Sequence, residues 1–153
     1  MKGLVACLVV AQLSMSSPSI GQEKKIERAK LPPHVEKTVA ILAKTATIRG
    51  FSKEIERGTT YYEAELTVGN HRKDCLMDVE GNVVEVEEEV ALASLPPSVQ
   101  DGLEAMARGG KVQEVESITK LGKLVAYEAD VIKDGKHLEF QVGPEGDPLK
   151  HEE

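Results

Sequence analysis

The side chains in this sequence that could carry chemistry are four histidines, two cysteines and a dense set of carboxylates. His34, His71, His137 and His151 never stand one helical turn apart, and no Cys-x-x-Cys accompanies them. The convergent ligand set that a metal requires is therefore missing from the pattern, and solvated turn histidines are expected. No nucleophile, base and orienting group can be named together. Glycine-rich phosphate loops are also missing, Gly109-Gly110 reading as a helix stop. We expect no catalytic residue, no metal and no cofactor. Cys75 alternates with Met77 and Val79, which turns its thiol inward, where it behaves as a small, inert apolar group.

The carboxylates are more informative. Glu63 and Glu65 alternate with Tyr62, Ala64 and Leu66; Asp74 and Asp78 alternate with Cys75, Met77 and Val79. Glu128 and Asp130 alternate with Tyr127, Ala129 and Val131, and Glu139 lies between Leu138 and Phe140. Successive side chains of a strand point to opposite faces, so these acids share one sheet face and the apolar residues the other. Arg49, Lys53, Lys120 and Lys123 would offset part of the charge. Such a face can receive a protein partner carrying a basic patch, and a divalent cation or small solute is the alternative ligand. The run Glu85-Val86-Glu87-Glu88-Glu89 reads as a solvated linker or a charged edge strand that discourages aggregation, with a docking strip as its functional alternative.

Helices and turns must position these strands. Pro33 and Pro97 suit the first position of a helix, where a missing N–H costs nothing. Val35, Val39 and Leu42 in one helix, and Val99, Leu103 and Met106 in the other, have the spacing of one buried stripe. Strands are expected over 48–55 and 112–118, where poor alternation points to a bulge. Further strands follow around Tyr62 to Val68, Cys75 to Val79, Tyr127 to Ile132 and Leu138 to Val142, with short additions at 83–86 and 148–150. Gly69-Asn70, Gly81-Asn82, Asp134-Gly135 and Glu145-Gly146-Asp147 supply the turns.

The chain also repeats itself. Leu31-Pro32-Pro33-His34-Val35 answers Leu95-Pro96-Pro97-Ser98-Val99, Tyr62-Glu63-Ala64-Glu65-Leu66 answers Tyr127-Glu128-Ala129-Asp130-Val131, and Glu80-Gly81-Asn82 answers Glu145-Gly146-Asp147. Order and spacing are kept throughout. The expected fold class is α+β, with two tandem units, 31–90 and 91–153, each a helix on a three- to four-stranded antiparallel sheet.

Residues 1–21 read as a secretory signal peptide: Lys2, an apolar run over 4–13 broken only by Gln12, then small and polar residues ending at Ser19 and Gly21. Residues 22–30 read as a linker. The apolar run is shorter than a bilayer span, and no later segment is long and apolar enough for one, so the mature protein is expected in the periplasm or outside the cell. Cys7 mimics a lipoprotein site but precedes most of the apolar run. Removing the leader leaves Cys75 alone, so no internal disulfide can form. Hydrophobic residues at 41% and charged residues at 29% allow a packed soluble core, and a net charge of −7 makes nucleic acid and anionic membranes poor partners.

The helix-opening Leu-Pro-Pro, the Tyr-Glu-Ala-Glu/Asp strand, the Asp134-Gly135-Lys136 hairpin and the closing acidic-Gly turn resemble the PepSY-like family, which is similar to the beta-lactamase inhibitory protein. The resemblance covers about 31–149 and implies an exported, non-catalytic binding protein, in some relatives an inhibitor or propeptide of a secreted hydrolase. One departure stands out. Protein inhibitors anchor on aromatic and arginine hot spots, yet Tyr62, Tyr127 and Phe140 fall on the expected inward face, leaving Tyr61 and Phe51 for an interface.

Overall fold

The computed structural model describes residues 23–150; the expected leader at 1–21 with Cys7, and His151, lie outside the described residues. Two helices, α1 (Pro33–Leu42) and α2 (Pro97–Ala107), are set among eight strands: β1 (Lys24–Lys25), β2 (Thr47–Glu56), β3 (Thr59–Val68), β4 (His71–Met77), β5 (Val83–Glu89), β6 (Lys111–Lys120), β7 (Lys123–Lys133) and β8 (Lys136–Val142). Short 3-10 turns occupy Arg28–Lys30 and Leu92–Ser94. The strands form one antiparallel sheet in sequence order from β1 to β8, an α+β architecture.

Local chemistry explains the elements. Pro33 and Pro97 begin the helices, where φ is already helical and no N–H is needed. Two-residue turns at Arg57-Gly58, Leu121-Gly122 and Asp134-Gly135 have positive φ at both positions, which matches the twist of antiparallel hairpins. The irregular alternation at the starts of β2 and β6 arises from register shifts between Ile48 and Gly50 and between Val112 and Glu114, with another between Ile118 and Thr119. At the first, Arg49 is the extra residue.

Two apolar clusters hold the helices to one face of the sheet. In the first, Leu31, Val35 and Val39 pack with Phe51, Ala64, Leu66, Cys75 and Met77. In the second, Leu95, Val99, Leu103 and Ala107 pack with Val115, Tyr127, Ala129, Val131 and Val142. Leu42 and Met106 sit at the rims, only partly buried. Phe51, expected to remain available for an interface, is instead buried in the first cluster, because the bulge beside Arg49 resets the alternation of β2.

The sheet's centre answers one open question and overturns one expectation. The sequence pattern left open whether the sheets of the two units join; β5 pairs with β6 (Glu85↔Lys120, Val86↔Thr119, Glu87↔Ile118) and makes the strands of both halves one sheet. The run Glu85 to Glu89 is consequently an interior strand rather than a linker or an edge. Val86 packs against the first cluster while Glu85 and Glu87 point to the other face, and backbone bonds form on both sides. At the N-terminus, the stretch read as a linker contributes β1, with Lys24 opposite Lys53 and Lys25 opposite Ser52.

The acidic-Gly turns press on the helix starts. Gly81 has φ +79, a Cβ there would lie 2.5 Å from the His34 carbonyl oxygen, and Thr38 Oγ1 donates to the Gly81 carbonyl at 2.7 Å. Gly146 has φ +93, and a Cβ would lie 2.1 Å from the Ser98 carbonyl oxygen. Backbone meets backbone at both places, so neither neighbour can yield.

Leu103 is fully buried, and Leu103→Ala should cost roughly 2 to 5 kcal/mol in denaturant melts; a loss below about 0.5 kcal/mol, typical of surface sites, would refute the packing. Gly146→Ala and Gly58→Ala should differ sharply, because both have positive φ but Gly58 faces open space. Gly58→Ala should cost about 1 kcal/mol of backbone strain, and Gly146→Ala at least twice that. Equal losses would mean that the turn does not clamp the helix.

Candidate functional site

The sheet face opposite the helices is the candidate site. Register places the predicted carboxylates there: Glu63 is opposite Ser52 and Leu76, Glu65 opposite Gly50 and Asp74, Glu128 opposite Glu116 and Gln141, and Asp130 opposite Glu114 and Glu139. The interior position of β5 adds Glu85, Glu87 and Glu89 to the same face. Asp78 does not join them. It lies past the end of β4 and caps a turn, accepting from the Glu80 and Asn82 backbone N–H groups at 2.9 Å each and from Asn82 Nδ2 at 2.9 Å. Those bonds hold its carboxyl below its ordinary value.

Two hollows open on this face. The first, about 190 Å³, is lined by Glu54, Glu56, Glu63, Asp74, Leu76, Glu85, Glu87 and Lys120. The second, about 150 Å³, is lined by Arg72, Glu114, Glu116, Glu128, Asp130 and Glu139. Each therefore combines several carboxylates with a single cation. Sequence reasoning did not place Glu54, Glu56, Glu114 or Glu116 on this face, because their strands are bulged, and it took Glu85 and Glu87 as part of a linker or edge strand with docking as its alternative. The alternation of Glu85 and Glu87 about Val86 was the available signal.

Cations tie down part of the acid. Arg49 reaches Asp74 Oδ1 at 2.7 Å and Glu65 at 3.6 Å, and its Nε donates to the Leu66 carbonyl at 3.1 Å. Lys25 also pairs with Glu65, Arg72 with Glu114, and Lys120 lies 3.5 Å from Glu85. Ser52 Oγ donates to Glu63 at 2.6 Å and Gln141 Nε2 to Glu128 at 2.8 Å. Of the four cations expected to offset the face, Arg49 and Lys120 do so, Lys53 lies opposite Tyr62 on the helix side, and Lys123 lies opposite Lys120. Lys25 and Arg72 were not anticipated.

Glu54 and Glu87 have no hydrogen bond or ion pair among the described residues. Burial pushes Glu87 up to about 8, and the neighbouring charges of Glu116, Glu85, Glu128 and Glu63 add to the effect. Burial pushes Glu54 up to about 7, with repulsion from Glu63 and Glu23 behind it. Burial also raises Glu63, Glu85 and Glu116, and raises Asp74 against the pull of Arg49. The face thus holds carboxylates that lack counter-charge and would gain from a cation.

The other candidate residues are buried or paired. Cys75 is buried, and burial pushes its thiol up to about 11. His71 Nε2 lies 2.9 Å from Glu88, and His137 Nδ1 lies 3.3 Å from Asp130. Burial opposes ionisation of Glu88, but hydrogen bonds from Lys73 and His71 outweigh it and hold the carboxyl low. Among the described residues, no group of three or more His, Cys, Asp and Glu side chains could hold a metal ion. Among them, too, no helix is long and apolar enough to cross a membrane.

No protein-family model matches the chain, and no curated protein matches it. Solved structures do share its fold. A DUF2874 family protein from Bacteroides ovatus is 22% identical, with a TM-score of 0.61 over 78% of this chain and 85% of its own. A protein described as periplasmic from Bacteroides eggerthii is 18% identical, with a TM-score of 0.64 over 78% and 86%. A BLIP-like protein from Bacteroides fragilis is 21% identical, with a TM-score of 0.55 over 76% and 81%. At these identities the likeness is one of fold.

The raised pKa of Glu87 has a defined sign. Between its ordinary value of 4.5 and about 8, the native state keeps a proton that the unfolded chain has released. The stability that Glu87 contributes is therefore complete below pH 4.5 and declines up to about pH 8. Thermal melts should show a lower Tm at pH 8 than at pH 5. Glu87→Gln should raise stability at pH 8 by roughly 1 to 2 kcal/mol, a few degrees in Tm, and flatten the profile. A variant with the same pH slope as the parent would show that Glu87 is solvated.

Proposed function

We propose that this chain is an exported, non-catalytic binding protein whose acidic sheet face receives the basic surface of a protein partner. The observation that carries the reading is the pair of hollows lined by carboxylates, with Glu54 and Glu87 uncompensated in the first. Lysine or arginine side chains from a partner would supply the missing charge. The hollows fall below the roughly 300 to 1,000 Å³ of ordinary small-molecule sites, which favours single side chains over a cofactor. The divalent-cation alternative lacks a convergent ligand set among the described residues.

Export to the periplasm or beyond follows from the leader-like residues 1–21, and the periplasmic description of the Bacteroides eggerthii neighbour supports it. The Leu-Pro-Pro, Tyr-Glu-Ala and acidic-Gly matches support reading 31–90 and 91–153 as PepSY-like copies of one unit, as does the matching clamp of Gly81 on α1 and Gly146 on α2. Likeness in fold to a BLIP-like protein favours a secreted or envelope hydrolase as the restrained partner. Phe51 and Tyr127 are buried, and Tyr62 and Phe140 pack partly buried against the cores, which argues for recognition driven by charge rather than by aromatic anchors.

The test compares the exported form of the chain with a Glu54→Lys/Glu87→Lys variant as baits for envelope proteins. A partner held by the parent at low salt should be lost from the variant. It should also be released as salt shortens the screening length from about 8 Å at physiological strength to about 3 Å at 1 M. The variant must keep the parent's fold by circular dichroism. A partner retained equally by both baits, and indifferent to salt, would overturn the acidic face as the binding site.

A further inference from the structure

The two edges of the sheet are built differently. One ends in β1, only two residues long and made of lysines, which pairs with Ser52 and Lys53 at the middle of β2; a short, charged strand of this kind resists pairing with another chain. The other is β8. Its C-terminal end is covered, because Val142 bridges Pro148 and the Leu149 N–H donates to the Gln141 carbonyl at 3.0 Å. From Lys136 to Phe140, however, the outer edge has no strand partner among the described residues. Lys136, His137, Leu138 and Glu139 are all exposed. Leu138 is 43% exposed, one of the few large apolar side chains left in solvent.

We propose that this edge pairs with the same edge of a second copy, giving a two-fold dimer with one continuous sheet. The segment is self-complementary about Leu138. In an antiparallel pairing centred there, Leu138 faces Leu138, removing exposed apolar surface from both copies. His137 faces Glu139 and Glu139 faces His137, so a basic side chain meets an acidic one twice, and Lys136 falls opposite Phe140. A slip of one residue would destroy all of these pairings and move every side chain to the other face. His137 and Glu139 project on the side of the hollows, opposite Ile132 and Asp130 of β7. His137, already 3.3 Å from Asp130, would lie between two carboxylates.

The symmetry has a consequence for the face. A two-fold axis between antiparallel edge strands runs perpendicular to the sheet, so both acidic faces look the same way. The dimer would offer a partner a doubled carboxylate surface. Its contact spans little more than five residues per copy, well below a standard interface, which makes the association weak and concentration-dependent.

Sedimentation velocity on the exported form, over a dilution series, should show the weight-average mass rising toward twice the monomer mass. Amide exchange at Lys136 to Phe140 should slow in the same range. Leu138→Lys sets two ammonium groups face to face and should leave a monomer of unchanged Tm. Glu139→Lys should weaken association about ten-fold, from two lost cross-strand pairs, and His137→Glu added to it should restore most of that loss. A monomer at every concentration would overturn the proposal. A dimer that survives Leu138→Lys would place the interface elsewhere and overturn it equally.

Discussion

The ladder between β5 and β6 is the interaction on which the remaining arrangement depends. Without Glu85↔Lys120 and Glu87↔Ile118, the strands before α2 and those after it would be separate sheets with four edges. With it, a strand rich in glutamate becomes an interior strand of an eight-stranded sheet. Interior strands expose no backbone edge, so their side chains alone meet the surroundings, and alternation forces Glu85 and Glu87 onto the face that the helices leave bare. There they are flanked on both sides by strands carrying more acid. Desolvation and like-charge repulsion then follow from the placement, and the raised carboxyls of Glu87 and Glu54 are its chemical expression.

The two faces of the sheet divide the work. On the helix side, apolar clusters and the close approach of Gly81 and Gly146 to the helix starts supply the stability. The small residues Ala64 and Ala129, both fully buried, leave room for the helices. The open side opposes stability at neutral pH, since uncompensated carboxylates are held in partly desolvated hollows. Such a standing cost at one surface is typical of a site kept for binding rather than for folding. On the proposed reading a basic partner would relieve the repulsion, and the gain would become binding free energy sensitive to salt.

Much of this was legible in the residues. Leu31-Pro32-Pro33 and Leu95-Pro96-Pro97 announced the helices, and the alternation of Tyr62, Ala64 and Leu66 with Glu63 and Glu65 announced both the strand and its acidic side. Cys75 could be read as inert because it stands between inward-facing neighbours. Period and capping are local properties, set by the backbone geometry of a few consecutive residues, and so they survive in a sequence. Phe51 shows where that legibility ends. An extra residue at Arg49 shifts the alternation, and nothing in the bare order of residues says which one leaves the ladder.

By itself, the sequence determined the two helices, most of the strands, which side of β3, β4, β7 and β8 is apolar, and the acidic balance. Tertiary structure alone decided that β5 and β6 pair, that Asp78 caps a turn instead of joining the face, and that Glu54, Glu87 and Glu116 line the hollows with the predicted acids. The reason is that strand pairing across α2 is a contact between residues far apart in the chain. It is selected by the packing of Val86 against the first cluster and by the backbone bonds satisfied on both sides of β5, and no local spacing encodes either.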